Sequence, residues 1–116
     1  MFNFEKLEVW QKSVAYAGAV YRATKTFPKE EQFGLTNQIR RAAASIASNI
    51  AEGSARPPAD YARFLGYAVG SLFEVVTQAT IARNEAYITA EIYQQLYIDA
   101  EEISRMLSGL RRSLGE

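Results

Sequence analysis

Residues 35–58 read LTNQIRRAAASIASNIAEGSARPP, and the fold is decided there. Leu35, Ile39, Ala42 or Ala43, Ile46 and Ile50 recur at the three- and four-residue steps of one helix face. Gly53 then stands where a left-handed C-terminal cap belongs, so this second helix should end near Glu52. The following GSARPP, residues 53–58, combines Gly with paired prolines and is the clearest turn in the chain.

Helical periodicity extends from this segment in both directions. Upstream, Trp10, Val14, Ala17 and Tyr21 predict the buried side of a first helix over about Leu7 to Thr26. Pro28 suits the first turn of a short helical piece, with Glu30 and Glu31 at its positive end and Gly34 as a bend. Downstream, Tyr61, Phe64, Leu65, Ala68, Leu72, Val75, Val76, Ala79 and Ala82 share one arc, which predicts a third helix over Pro58 to Glu85. Thr89 is the expected N-cap of a fourth, whose buried stripe reads Ile92, Leu96, Ile103, Met106, Leu107, Leu110 and Leu114. Four amphipathic helices with short connections predict an all-α, up-down-up-down four-helix bundle filling residues 1–116 as one domain.

Composition narrows the chemistry. The chain has 116 residues, 13 Lys and Arg against 13 Asp and Glu, and neither Cys nor His. Disulfides, thiolate metal sites and cysteine nucleophiles are thereby excluded, together with the commonest metal ligand and general base. An apolar share of 48% with 22% charged residues is globular rather than disordered or collagen-like. The N-terminal MFNFEKLEVWQKS lacks the apolar core of a signal peptide, and no run reaches the ~18 apolar residues that a membrane span requires. The cytoplasm is the expected location, with no membrane partner, metal or cofactor. No low-complexity segment or fixed-period repeat interrupts the chain.

Three stretches carry a resemblance: LEVWQKS at 7–13, FPKEEQFGLTNQIRRAAASIASNIAEG at 27–53, and RFLGYAVGSLFE at 63–74. The chain resembles the four-helix bundle family encoded in intervening sequences of 23S ribosomal RNA genes. A related branch is the accessory variability determinant of diversity-generating retroelements. That resemblance implies a homopentameric ring and, in that branch, binding of nucleic acid and reverse transcriptase through a basic surface. The sequence departs from the family pattern twice. Pro57, Pro58, Ala59 and Asp60 stand where basic residues and a Ser cap commonly follow the EG, and Val76 replaces a second carboxylate near Glu74.

Several surfaces are candidates for function. On helix two, Gln38, Arg41, Ser45, Ser48, Asn49 and Glu52 form a polar strip. It is either a recognition or assembly strip or an ordinary solvated face on which Asn49 and Glu52 fasten the helix end. On helix three, Gly66, Gly70, Phe73 and Thr77 line up opposite the core stripe, where a simple bundle helix would be charged. Glycines four apart admit another backbone or ring, so this line is expected to contact a protein. Val9, Tyr16, Val20 and Phe27 widen the apolar arc of helix one and are assigned, Phe27 apart, to the same oligomer interface.

Glu74 and Asp99 are expected as partly buried, structurally paired carboxylates, with catalysis disfavoured by the missing His and missing nucleophile motif. Charge is segregated: Arg22 to Arg63 holds seven bases against four acids, whereas Glu74 to Glu102 holds six acids against Arg83. Arg40, Arg41, Arg56 and Arg63 are therefore candidate phosphate contacts. The expectation is a non-enzymatic, self-assembling scaffold or adaptor, five-fold by resemblance, the alternative being an accessory RNA- or DNA-binding protein.

Overall fold

The apolar stripes become four helices in the computed structural model, which describes residues 1–115: α1 Glu8–Ala23, α2 Leu35–Ser54, α3 Pro58–Asn84 and α4 Ala90–Ser113. Single 3-10 turns occupy Asn3–Lys6, Thr24–Thr26 and Lys29–Glu31. Each helix packs on two neighbours, α2 on α1 and α3, and α4 on α3 and α1, so α1 lies diagonally across from α3. This is the expected up-down-up-down bundle. Its longest dimension of 42 Å matches the ~40 Å rise of the 27-residue α3.

Ile39, Ile46 and Ile50 of α2 meet Leu65, Leu72 and Val75 of α3 and Ile103 and Leu107 of α4 in a core with almost no solvent access. Burial of each contributes about 1.5–3 kcal/mol. Ala43, Ala68 and Ala79 sit among them and let the helix axes approach. By length and composition α3 is apolar enough to cross a membrane, and a third of its apolar stretch is buried in the bundle.

Local chemistry sets the helix ends. Pro58 occupies the first turn of α3, where its missing N–H removes no bond. Thr89 Oγ1 accepts the Ile92 N–H at 3.1 Å, as expected of an N-cap. After α3 the amides of Ala86 and Tyr87 return to the Arg83 and Ala82 carbonyls at 2.9 and 2.8 Å, a Schellman pair that places Ala86 at φ 62°. The Glu31 carboxylate caps the Leu35 amide at 3.1 Å and accepts the Tyr87 hydroxyl at 3.0 Å, clasping two loops at one end of the bundle.

Four expectations are corrected here. Gly53 lies inside α2 rather than at a left-handed cap, since the helix runs on to Ser54. A Cβ at Gly53 would sit 2.7 Å from the Phe64 Cβ and 3.2 Å from a Tyr61 ring carbon, so glycine is needed for close approach to α3. The facing of α1 also differs. Val9, Ser13, Tyr16, Val20 and Ala23 are buried, while Val14 and Tyr21 are exposed and Trp10 and Ala17 half-buried. Both stripes obey helical spacing; the buried Ser13 disguised the true one. α1 itself stops at Ala23, and Ile92 of α4 is exposed rather than buried.

Candidate interaction surfaces

The α1 correction removes three residues from the expected oligomer interface. Val9, Tyr16 and Val20 are core residues of their own chain and present no surface to a second copy. The Tyr16 hydroxyl donates to the Leu96 carbonyl at 3.0 Å, and burial raises its pKa well above the ordinary phenol value.

The outer side of α3 is where expected. Gly66 is half-buried and Gly70 exposed, and nothing lies within 4 Å of a Cβ built on either. Phe73 is 59% exposed, and the exposed Thr77 donates its hydroxyl to the Phe73 carbonyl at 2.8 Å. From Phe64 to Ala82 the helix carries a single charge, Glu74. Between α3 and α4 a groove of about 540 Å³ is lined by Phe73, Val76, Thr77, Tyr97, Glu101 and Arg105, among others. Tyr97 and Ile81, both exposed, were missing from the expected surface; Tyr97 comes from α4, and Ile81, one turn beyond Thr77, extends the line of glycines.

The polar strip of α2 divides by function. Ser45 shares a hydrogen bond with Ser71 of α3 at 2.9 Å, and Asn49 Nδ2 donates to the Ser45 carbonyl and hydroxyl at 2.8 and 2.9 Å. These groups fasten α2 to α3 above a polar groove of about 400 Å³ that also takes in Gln38, Arg41 and Glu74. Ser48 is exposed, and Glu52 pairs with Arg56 at 3.4 Å. Glu74 departs from expectation. It is exposed and, among the described residues, has no hydrogen-bond or ion-pair partner, because Val75 takes the core position beside it. Asp99 is half-buried and accepts Gln95 Nε2 at 2.9 Å, a hydrogen bond rather than an ion pair. No group of three or more Asp or Glu able to hold a metal ion occurs among the described residues.

The four candidate arginines occupy three separate environments. Arg40 donates from Nε to Thr24 Oγ1 at 2.7 Å and lies 4.8 Å over the Tyr21 ring, fastening α2 to α1. Arg41 borders the polar groove. Arg56 and Arg63 lie roughly 20 Å further along the bundle, by the rise of the intervening helix. There both engage Asp60, Arg56 at 3.2 Å and Arg63 through Nε at 2.9 Å, and both stack over the Phe64 ring. Asp60 was read from the sequence only as a departure from the family pattern, yet it is the hub of this end. Hydrogen bonding from Arg63, then from Arg56, holds its carboxyl below the usual range.

No curated protein matches the chain. A crystal structure of a protein of unknown function from the S23 ribosomal protein family of Bacteroides thetaiotaomicron superposes with a TM-score of 0.81 at 27% identity, covering 89% of this chain and 97% of that one. The family model for the 23S rRNA-intervening sequence protein matches residues 5–109, nearly the full length of the bundle. With that span of matched sequence, and with the same bundle in the solved relative, the chain belongs to the 23S rRNA-intervening sequence protein family.

Proposed function

We propose that the protein is a non-enzymatic, cytoplasmic scaffold or adaptor that assembles with copies of itself through the outer side of α3. One observation carries this reading. A helix exposed on its outer side presents Gly66, Gly70, Phe73 and Ile81 with one charge between Phe64 and Ala82. Exposed apolar stripes of this length mark protein contacts, and glycines allow a neighbour's backbone or ring to approach closely. A ring of five copies is the count that the resemblance implies. Phe73→Glu tests the contact: the side chain is exposed, so the variant should stay folded, and its mass in light scattering should fall to that of one chain. An unchanged oligomer in this variant counts against the α3 contact.

Nucleic-acid binding is a narrower second reading, favoured by the Arg56, Arg63 and Tyr67 group, where guanidiniums stand beside an exposed ring. Such groups contact phosphate and stack on bases. Asp60 competes for both guanidiniums, so Asp60→Asn should strengthen any salt-sensitive binding of RNA or DNA. Absence of binding to structured RNA and duplex DNA at low salt removes this reading.

A further inference from the structure

Along their shared outer edge, α2 and α3 are joined by two polar bonds with a gap between them. Gln78 Nε2 donates to Gln38 Oε1 at 3.4 Å, and the Ser45 and Ser71 hydroxyls share a hydrogen bond at 2.9 Å. These bonds fix the register of the two helices, because residues three and four apart stack on one side of a helix. Between them, Arg41 and Ala42 of α2 stand opposite Glu74 of α3. Ala42 is buried and offers only a methyl group, so the gap opens into the polar groove of about 400 Å³. That volume lies in the range of small-molecule sites.

Polar capacity is left over here. Arg41 and Glu74 border the groove from opposite helices yet form no ion pair, and neither has another partner among the described residues. At the Gln38 end, Gln78 Oε1 is buried without a hydrogen bond, which is costly for an amide oxygen. The bond to Gln78 occupies Gln38 Oε1 and leaves Gln38 Nε2 as a donor.

We propose that this groove binds a free α-amino acid with a side-chain amide, glutamine or asparagine, its carboxylate on Arg41 and its ammonium on Glu74. A guanidinium takes a carboxylate through paired N–H donors, and an ammonium donates to a carboxylate. Either charge alone is a poor occupant: an anion on Arg41 has Glu74 across the groove, and a cation on Glu74 has Arg41. A zwitterion satisfies both. Its side-chain amide brings a donor for Gln78 Oε1 and an acceptor for Gln38 Nε2. Arg41 and Glu74 are solvent-exposed, so the affinity is modest and falls as salt rises.

Titration of the isotope-labelled full chain with L-glutamine, read by NMR, tests this. The side-chain amide signals of Gln38 and Gln78 should shift and saturate. Arg41→Gln and Glu74→Gln change exposed positions, so circular dichroism should show intact bundles, and each should weaken binding roughly tenfold through loss of a charge-assisted bond. Acetate and ethylammonium, each carrying one charge, should bind roughly tenfold more weakly than L-glutamine, and glycine, which keeps both charges but lacks the amide, several-fold more weakly. No saturable shift with L-glutamine overturns the site, as do variants that bind like the unmodified chain or acetate that matches L-glutamine. Glycine that matches it overturns the choice of an amide side chain.

Discussion

Alanine at Gly66 and Gly70 separates the stability of the chain from its assembly, because the two should move in opposite directions. In the isolated bundle nothing lies within 4 Å of either new methyl group, so the substitution meets no clash. Glycine inside a helix costs about 0.8–1.0 kcal/mol relative to alanine, and the pair should therefore gain roughly 2 kcal/mol. For a chain of 116 residues, one kcal/mol moves the melting temperature by roughly 4 °C, so the double variant should melt roughly 8 °C higher when dilute. At a close contact the same two methyls overpack, at about 1–3 kcal/mol. Assembly should weaken roughly tenfold or more. Urea unfolding at high dilution reads the first effect, and sedimentation velocity across a concentration series reads the second. A double variant that is more stable with undiminished assembly shows that the glycine line faces water, and the reasoning fails. One that is less stable shows that the chain itself already covers that line.

Gly53→Ala should behave in the opposite way. The 2.7 Å approach to the Phe64 Cβ costs about 1–3 kcal/mol of overpacking, which exceeds the helix-propensity gain, so a lower urea midpoint is expected. Ala86→Gly relieves a left-handed residue at φ 62° and should raise stability by about 0.5–1 kcal/mol in the same assay. Tyr16 gives a pH signature. Its phenol, buried in the folded chain, ionises above the 10.0 of the unfolded one, so stability is fully present below that pH and declines as pH rises past it. Tyr16→Phe should lose about 1 kcal/mol at neutral pH with the bond to Leu96, and should flatten the decline above about pH 10.

What the sequence made legible was local. Ile39, Ile46 and Ile50 are the only large apolar groups on their turns of α2, so one face was available to them. Thr89 caps α4 through an amide three residues away, an interaction contained in the local pattern. α1 has more apolar surface than its core position uses, and two stripes satisfy the same period; only the placement of α4 behind Tyr16 chooses between them. Gly53 was visible as a helix-end glycine, but a cap and a close helix crossing call for the same residue. The clasp from Glu31 to Tyr87 joins residues 56 apart and leaves no periodic trace. Of the candidate surface, Gly66, Gly70, Phe73 and Thr77 lie on the outer side of α3, while on α1 Val9, Tyr16 and Val20 are buried in the core and Val14 and Tyr21 are the exposed apolar residues.

The most direct measurement is the solution mass of the unmodified protein, followed by sedimentation equilibrium over a micromolar range. A discrete multiple of 13.0 kDa that dissociates on dilution is the predicted result. A single 13.0 kDa species at every concentration contradicts self-assembly.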